Sequence, residues 1–593
     1  MPNTRMTDFE VEYYLEDTDA RQDASFSTES NKSFADVTLL KTHGTTEKYM
    51  TCEKDLVLLD GSFSYFPVDA ASVDFAFFSD ELSGEDGTFT NNPKVTINFA
   101  ERTHSSFALT LFFLDNTPKE VDVKWYSSDE VIIGQITYTV AGNEGVIYYD
   151  VENYKKIVLE FTKAAPYSYI KLYRIIYGLT ILWNETNVHS ASMVQEIDRI
   201  SDKLPVNTLS FDVIDIDHNL NMGNTTGIHK YFQKRQIMYP YEWINDQRIS
   251  LGKYFLDKFS NESNLGKMSS VNYMGLLDAA DYIDGSLYQE GIQARSLIQS
   301  ILTTTLGFIE DTTEDGSGEG EYWISPEVRS INLYGALEPM TCRDALREVL
   351  FASGSIVDTT ESDKIRILIP LNSIDDVISR NDKISTKVTK NEYVYGIKLE
   401  YNDYTLESAD STIVEDVYEP GTYQINFDSP YLVSSIVITG GTFTSLHTFY
   451  CTFTVSNEGT VKIIGTKYAK ASNSVTITQS LLEAGESKTI KSFKSSLANV
   501  AIAKRLASSI LNFYSNRIQL DIQHIARDST MSNWKVVENP LSRYENYMGM
   551  FTKRNFDLTG GFIDNATLIG YQNTRDYYYA GIELYAGEDI GTV

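Results

Sequence analysis

Apolar and polar residues alternate along much of the chain, which is the pattern of β-strands that bury one face. The clearest stretch lies between residues 94 and 175, and no helical period interrupts it. Its alternating positions are Val95, Ile97 and Phe99, then Leu109, Leu111 and Phe113, then Val121, Val123 and Trp125, then Ile157, Leu159 and Phe161. Regularly spaced strands without intervening helices predict a β-sandwich.

Further segments predict more strands and three helices. The strands are expected at residues 208–214, 236–239, 252–257, 364–370, 393–401, 436–438, 461–464, 518–522 and 548–558. Helical spacing predicts one helix over 291–305 that Gly307 ends, and another over 497–514. A third helix begins at Thr341, whose hydroxyl can cap the amide of Asp344, and ends at Gly354. The predicted fold class is therefore mainly β with α+β parts, in several domains.

The first 33 residues are polar, and we identify no period in them. They are expected to form a flexible arm, or an extended segment that becomes ordered on a partner.

Length and charge narrow the class of protein. A chain of 593 residues permits about three to five domains of ordinary size. Its formal net charge of -32 repels phosphate, so tight nucleic-acid binding is not expected. The cysteines Cys52, Cys342 and Cys451 are too widely spaced in sequence for a disulfide framework or a cysteine zinc site.

The chain shows no secretory signal, and none of its apolar runs reaches the roughly 20 residues that span a bilayer. We therefore expect a protein that is made and dissolved in the cytoplasm and has no membrane span.

Candidate chemistry is sparse. The seven histidines are scattered without a His-x-x-x-His pair, and no G-x-S-x-G elbow occurs, so a zinc or serine hydrolase is not expected. Alternation would place Asp215 and Asp217 on one face of a strand, near Asp212 and His218. We interpret this group as a solvated strand edge that leads into a loop.

Residues 314–321 are rich in glycine and acidic side chains. They lack the Lys-Ser/Thr ending of a phosphate loop, and Tyr322 stands where a calcium loop begun at Asp311 would need glutamate. A flexible acidic loop is the preferred interpretation.

No metal, cofactor or catalytic residue is predicted, and the chain is not expected to be an enzyme. With 82 acidic residues, carboxylate pairs arise by chance and do not decide for a glycosidase.

Two neighbouring aromatic residues in the predicted sandwich are candidates for contact with a sugar. Trp125 shares a strand face with Val121 and Val123, so it is expected in the core. Tyr126 points the other way and is the candidate glycan contact.

The segments KVTINFAERTHSSFALTLFF, EVDVKWYSSDEVIIGQITYTV and VENYKKIVLEFTKAAPYSYIKLYRIIYG together resemble the galactose-binding-like jelly roll of the discoidin type. The ending Arg174, Ile175, Ile176, Tyr177, Gly178 is similar to the last strand of that family. The resemblance implies a two-sheet domain that binds sugar or protein.

A second resemblance covers most of residues 179–593. The phrase LPVNTL at residues 204–209, followed by Phe211, Val213 and Asp215, precedes GKYFLD at residues 252–257. Together with MTCRDALREVLFASGS and DKIRILIP, it resembles the tail hub (baseplate hub) proteins of phages and phage-tail-like particles. That family implies two tail-tube-like β-barrel domains that flank α/β domains.

These resemblances imply a domain order: an arm and the start of the hub over 1–49, the jelly roll over 50–178, a β-barrel over 179–258, an α+β domain over 259–385, a second β-barrel over 386–489 and an α+β domain over 490–593. The implied function is a structural hub in the virion, a homotrimeric ring that joins the tail tube to the baseplate or tail tip. Implied partners are the tail tube or distal tail protein, the tape-measure protein, and spike or other baseplate proteins. The alternative is a carbohydrate-binding adhesin that works through the jelly roll and binds a cell-surface glycan.

Overall fold

The protein is described here by a computed structural model over residues 7–42, 44–51, 53, 59–66, 74–114, 118–370, 373–479, 485–526, 531–539 and 546–573. The predicted fold class is confirmed: 50% of the structure is strand and 12% is helix, divided among several sheets. Cys52 lies outside the described residues.

Forty strands occur in the described residues. The first are β1 (Thr7–Glu16), β2 (Ala24–Ser27), β3 (Phe77–Phe78), β4 (Lys94–Phe99), β5 (His104–Phe113), β6 (Glu120–Tyr126), β7 (Ile132–Thr139), β8 (Glu144–Tyr154), β9 (Lys156–Lys163), β10 (Lys171–Ile176), β11 (Gly178–Asn184), β12 (Val188–Glu196) and β13 (Thr208–Ile214). The next are β14 (Ile237–Ile244), β15 (Gln247–Ser250), β16 (Tyr254–Glu262), β17 (Leu265–Val271), β18 (Asp281–Tyr282), β19 (Leu287–Gln293), β20 (Glu310–Asp311), β21 (Tyr322–Ile324), β22 (Asn332–Ala336), β23 (Met340–Thr341), β24 (Ile356–Asp358), β25 (Ile365–Leu368), β26 (Ile374–Ile378) and β27 (Lys383–Lys390). The last are β28 (Gly396–Leu406), β29 (Ser411–Tyr418), β30 (Gly421–Asn426), β31 (Val437–Thr439), β32 (Thr442–Leu446), β33 (Tyr450–Val455), β34 (Gly459–Gly465), β35 (Tyr468–Thr478), β36 (Ile490–Lys494), β37 (Ile518–Ile525), β38 (Trp534–Glu538), β39 (Asn546–Asp557) and β40 (Ile563–Asn573).

Helices are few and mostly short. They are α1 (Ala20–Asp23), α2 (Tyr273–Leu276), α3 (Ala294–Gln299), α4 (Pro326–Arg329), α5 (Cys342–Ser353) and α6 (Val500–Tyr514). A π-helical segment, Ser300–Thr305, continues α3. Single 3₁₀ turns occupy Val37–Lys41, Ile228–Tyr231, Leu277–Ala279 and Val433–Ser435. No helix of the described residues is long and apolar enough to cross a membrane.

Fourteen strands form one large sheet. Its main path runs β11-β1-β14-β16-β17-β13-β12-β39-β40-β37-β27, with β15 beside β14, β38 beside β39 and β26 beside β38. We call β1 and β11–β17 its first half, and β26, β27 and β37–β40 its second half. The hypothesis placed a second barrel over residues 386–489. In the structure most strands of that range form three separate three-stranded sheets, and the second half of the large sheet comes mainly from 374–390 and 518–573.

The expectation of a flexible N-terminal arm is wrong for residues 7–16. Strand β1 lies inside the large sheet and pairs antiparallel with both β11 and β14. Its burial alternates, because Val11 and Tyr13 face the core while Glu10 and Glu12 face away. The two-residue alternation of apolar and polar positions is present in the sequence, but the acidic residues at the outward positions make the segment look uniformly polar.

The predicted sandwich is present as two facing sheets, β2-β4-β9-β6-β7 and β3-β10-β5-β8. Their inward side chains form one buried cluster, in which Leu109, Val123 and Trp125 are completely buried. The sandwich begins at β2, well before residue 50, because Ala24–Ser27 pairs with β4. Whether it belongs to the galactose-binding type stays a prediction.

The α+β unit between the halves packs around α3, α5 and α6. Helix α5 has the predicted cap, with the Thr341 hydroxyl accepting from the Asp344 amide, and it ends at Gly354 in the left-handed region, φ 74°. The first predicted helix starts at Ala294 instead of 291, because β19 pairs with β22 up to Gln293. Helix α6 and strand β25 lie where the sequence predicted them.

A small β unit over residues 411–465 has a core of its own, around Cys451, Phe453 and Ile463. The chain enters it from β28 and leaves it by β35. These two strands pair antiparallel over their whole length, up to Leu406 opposite Tyr468. The unit is therefore an insertion at the end of a two-stranded ladder.

The crossing from the sandwich into β11 has no room for a side chain at Gly178. This residue pairs with Glu16, and a Cβ there would overlap the carbonyl oxygen of Leu15. We expect Gly178→Ala to lower the free energy of unfolding by about 1–3 kcal/mol, the usual effect of overpacking, in urea titrations followed by tryptophan fluorescence. Gly459→Ala is the control, because its nearest neighbour, the carbonyl oxygen of Asn457, is 3.9 Å from the added Cβ. Equal effects of the two changes would contradict the prediction.

Candidate functional site at the seam of the large sheet

The two halves of the large sheet meet at a single ladder, which we call the seam. Strand β12 pairs antiparallel with β39 from Ser192 opposite Asp557 to Glu196 opposite Lys553. More than three hundred residues of chain separate the paired strands. The seam therefore decides whether the two halves form one body.

Arg554 of β39 is completely buried at the seam. Its Nε donates to Asp564 Oδ2 of β40 at 2.7 Å, and its Nη1 lies 3.2 Å from Glu361 Oε1 in the loop between β24 and β25. Its guanidinium also stacks against the rings of Phe551 and Phe556, at 4.8 and 4.5 Å from the ring centroids. The side chain thus joins β39, β40 and the α+β unit.

The charge state of this group follows from its partners. Burial by itself lowers the pKa of Arg554, but the carboxylates of Asp564 and Glu361 outweigh burial and raise it. Burial by itself raises the pKa of Asp564, whereas Arg554 and His524 hold it below its ordinary value. His524 Nε2 lies 3.2 Å from Asp564 Oδ2. The pair is charged, dry and dependent on both members.

Arg199 follows β12 and provides a second buried cation at the seam. Its guanidinium donates to the backbone carbonyls of Phe551, Ser532 and Met531, at 2.9 and 2.7 Å for the first two. Burial lowers its pKa to about 10, so it stays charged at neutral pH. Arg199 thereby fixes the first half of the sheet to backbone of the second half.

Asn207, in the LPVNTL phrase, occupies the same region. Its Oδ1 accepts from the Glu196 amide at 2.8 Å, and its Nδ2 donates to Thr359 Oγ1 at 3.1 Å. Asn272 Nδ2 donates to the same hydroxyl at 2.7 Å. The most specific phrase of the sequence therefore connects the seam strand β12 to the α+β unit.

Sequence analysis missed Arg199 and Arg554. A lone arginine in a strand usually lies at the surface. One signal was available for Arg554: with Phe556 and Leu558 it occupies every second position, and all three are buried. A charged residue in the buried register of a strand marks a charge that must have an internal partner.

The junction between the sandwich and the large sheet has a different chemistry. His104 of β5 is buried between two carboxylates, with Nδ1 2.9 Å from Asp17 Oδ2 and Nε2 3.0 Å from Asp23 Oδ2. Asp17 precedes α1 and Asp23 is its last residue, where the chain crosses from β1 to β2. A cavity of about 390 Å³ opens beside them, with Arg102 and Lys230 among its walls.

The ionisation of this junction is set by its hydrogen bonds. Burial by itself lowers the pKa of His104, but the bonds to Asp17 and Asp23 raise it above 6.5. Burial by itself raises the pKa of Asp23, yet the backbone amide of Glu101 and the ring of His104 lower it to about 2. The two carboxylates therefore favour the imidazolium form of His104 at this junction.

The two ends of the large sheet are β11 and β27. Within the described residues, β27 pairs with β37 alone. Val388 of β27 stands opposite Leu520, which is 1% exposed, yet Val388 itself is 45% exposed. The core face of the sheet is therefore open at this end. At the other end, Glu185 follows β11, and the hydrogen bond that its protonated carboxyl donates to the carboxylate of Asp8 raises its pKa.

The structure separates the side chains of the predicted aspartate cluster. Strand β13 ends at Ile214, so Asp215 and Asp217 do not share a strand face: Asp215 is 5% exposed and accepts from the Leu220 amide, whereas Asp217 is exposed. In the described part of the chain, no group of three or more His, Cys, Asp or Glu side chains could hold a metal ion. The two described cysteines, Cys342 and Cys451, are buried thiols.

Of the two neighbouring aromatic residues in the sandwich, Trp125 lies in the core and Tyr126 does not. Trp125 is 0% exposed and stacks on Tyr149 at 4.9 Å, so its core assignment is confirmed. Tyr126 is half-buried, and Lys156 Nζ lies 4.5 Å from its ring centroid. Its glycan contact stays a prediction. The RIIYG ending stands at the crossing into the large sheet, where Arg174 lies over the rings of Tyr14 and Phe112.

No family model and no curated protein matches the chain. Its fold is similar to that of several solved structures. One is the 43 kDa tail protein of prophage MuSo2 from Shewanella oneidensis, at 6% identity and TM-score 0.36, over 64% of this chain and 94% of that chain. Another is the prophage tail protein gp18 from Listeria monocytogenes EGD-e, at 8% identity and TM-score 0.36, over 66% and 91%. A third is the E. coli c3393 protein, described as a type VI secretion system component with structural similarity to T4 bacteriophage tail proteins gp27 and gp5, at 9% identity and TM-score 0.30, over 66% and 76%. Likenesses with TM-scores this low do not assign the chain to a family.

Removal of Arg554 should deprive the buried Asp564 carboxylate of its guanidinium partner and leave His524 as its neighbour. We expect Arg554→Met to lower the free energy of unfolding by about 3–5 kcal/mol in urea titrations. Lys553→Met is the matched control, because this neighbour is 51% exposed and pairs with Glu196 at the surface; its effect should be about 0–1 kcal/mol. The double variant Arg554→Met/Asp564→Leu should regain much of the loss, since both charges are then absent. Equal losses in Arg554→Met and Lys553→Met would refute a role for the buried pair.

The sandwich junction should lose stability at both ends of the pH range. His104 adds its full contribution to the free energy of unfolding below pH 6.5, and this contribution is lost as pH rises through its raised pKa. Asp23 adds its full contribution to the free energy of unfolding above pH 3.8, and this contribution is lost as pH falls towards its pKa of about 2. We expect the difference in thermal midpoint between the unmodified protein and His104→Gln to be larger in mild acid than in alkali. The exposed His189→Gln provides the control, and a difference for His104→Gln that does not vary with pH would contradict the assignment.

Proposed function

We propose that the chain is a structural protein of a phage tail or phage-tail-like particle, and that it forms the hub that closes the distal end of the tail tube. The observation that carries the proposal is the seam. It unites two β units from opposite parts of the chain in one sheet, and the LPVNTL phrase that resembles the hub family stands beside it. Three such chains would contribute six β units to a ring.

The open ends of the large sheet support assembly of the ring by strand pairing. Within the described residues, strand β27 pairs with another strand on one side only, and its core-face residue Val388 is exposed. Its lysines Lys383 and Lys387 contact Glu538 and Asp521. Strand β11 at the other end carries no charged side chain and is followed by Glu185, while Glu10 and Glu12 of its neighbour β1 are already paired with Arg248. The end strands of one sheet can add to each other in a head-to-tail contact between two copies of the chain. We propose that β27 of one chain pairs with β11 of the next.

The remaining features agree with a mechanical role. The buried charges at the seam are all used to bind strands and loops together. We propose that the protein has no enzymatic activity and acts in the virion with the tail tube or distal tail protein, the tape-measure protein and spike or baseplate proteins. The sandwich, inserted between the adjacent strands β1 and β11, projects from the ring and contacts a protein or a surface glycan.

The ring is tested by the mass of the purified protein in solution and by negative-stain imaging. We expect particles of about three times the chain mass of 67.0 kDa, with a central hole. Val388→Glu should yield monomers with an unchanged circular dichroism spectrum, because a carboxylate would be buried in the proposed strand pairing. Val417→Glu, at a 60% exposed site of the small β unit, should still assemble.

A monomer at every concentration, in the presence of the tail-tube partner as well, would overturn the ring. If such a monomer also bound cell-wall polysaccharide and lost that binding on Tyr126→Ala, the adhesin would replace the hub as the better account.

A further inference from the structure

The glycine-rich acidic loop after β20 is not free in solution but closes around a side chain. Lys364, just before β25, places its Nζ 2.6 Å from Asp311 Oδ2 and 3.0 Å from the carbonyl oxygen of Gly316. The carbonyl oxygen of Gly318 is a third acceptor. Lys364 is 11% exposed and Asp311 is 1% exposed, so the contact is largely removed from water.

The glycines of the loop let its carbonyl groups turn inward. Gly316 has φ 76°, and a Cβ there would meet the Trp323 ring at 2.9 Å. A Cβ on Gly318 would meet Asp311 Oδ1 at 2.6 Å. Thr313 donates its amide to the same oxygen at 3.0 Å, which fixes the carboxylate. The loop is therefore shaped to present oxygen atoms to one point.

The chemistry of these oxygens is that of a site for a hard cation. A carboxylate and two backbone carbonyls are the ligand types that calcium takes. An ammonium group has three N–H donors and no acceptor, so three oxygens satisfy it fully. The loop differs from a calcium loop in the sequence, and the structure shows what replaces the ion: a cation supplied by the chain itself.

A cavity of about 480 Å³ opens beside the ammonium. Asp315, Ser317, Asp363 and Arg366 are among its walls. Water and small ions can therefore reach the loop, which a replaceable cation requires.

We propose that residues 311–318 form a cation-holding loop whose resident cation is the Lys364 ammonium, and that removal of this ammonium turns the loop into a calcium site. The Lys364 ammonium then replaces a bound metal ion as the group that orders the loop. It binds the carbonyl oxygens and keeps the loop in one conformation, whatever ions the solution contains. The acidic loop is on this account a fixed part of the surface rather than the flexible segment that its composition suggests.

The ionisation of Asp311 agrees with this arrangement. Burial by itself raises its pKa, but the hydrogen bonds from Lys364 and Thr313 outweigh burial and hold the pKa below 3.8. A buried, ionised carboxylate requires a positive partner, and an added divalent cation can take that role once the lysine is gone.

The test is the full chain with Lys364→Met, compared in EDTA and in CaCl₂ at about 10 mM, well above the dissociation constants of about 1 mM that weak calcium sites have. In EDTA the variant should have a lower thermal midpoint than the unmodified protein, and its amides at 311–318 should exchange hydrogen faster. Calcium should restore at least half of both losses. The unmodified protein should have the same midpoint in EDTA and in calcium.

Three further variants make the test decisive. Lys398→Met, which removes a surface lysine paired with Glu400, should show no calcium response. Lys364→Met/Asp311→Asn should not recover in calcium, because the buried carboxylate of the loop, Asp311, is then replaced by a neutral amide. Lys364→Gln replaces the methionine variant if that one does not fold, since an amide still donates to the carbonyls. Failure of calcium to restore either Lys364 variant, or an equal calcium response in the unmodified protein, would overturn the proposal.

Discussion

The rest of the structure depends on the pairing of β12 with β39, because this ladder holds together strands that more than three hundred residues separate. Such a long-range pairing forms only after a large loss of chain entropy. Arg199 makes the pairing selective, because its buried guanidinium follows β12 and donates to backbone carbonyls of the second half. Arg554 adds to this from β39, where it binds Asp564 of β40 and Glu361 of the α+β unit. A slipped register would leave a cation without acceptors in a dry interior, which costs several kcal/mol per ion.

The large sheet is the frame; the sandwich is an insertion into it, and the small β unit is an insertion into the separate sheet that contains β28 and β35. The sandwich leaves after Glu16 and returns at Gly178, and these two residues are directly paired. The small β unit leaves after Leu406 and returns at Tyr468, which are also paired. Because the two ends of each insertion adjoin, the inserted unit puts no strain on the strands that carry it. The frame can therefore carry projecting units while its outer edges stay available.

Local sequence rules predicted the elements well and their assembly poorly. The cap and the terminating glycine of α5, the amphipathic α6 and most strands of the sandwich follow from periodicity alone, since each depends on neighbours a few residues away. Strand β1 was missed because Glu10 and Glu12 masked its alternation, and its role is visible only through partners at residues 178–184 and 238–244. The composition of the acidic loop predicts flexibility, because the lysine that closes the loop lies 53 residues from Asp311 and no local pattern shows the contact. Arg554 was missed for the same reason, since its partners come from separate elements.

The two junctions of the frame differ in a way that matters for how the molecule works. At the seam, the guanidinium groups of Arg199 and Arg554 are buried and are bound by carbonyls and carboxylates. The sandwich is attached through His104, Asp17 and Asp23 beside an open polar cavity, and through the surface pair of Lys230 with Asp150. The surface pair of Lys230 with Asp150 is screened by salt and contributes little, whereas the buried contacts of His104 and of Arg554 cost stability when one partner is removed. The attachment of the sandwich therefore depends on the ionisation of His104 and Asp23, whereas the seam depends on buried guanidinium groups. Stability of the frame and orientation of the sandwich are thus controlled by different interactions.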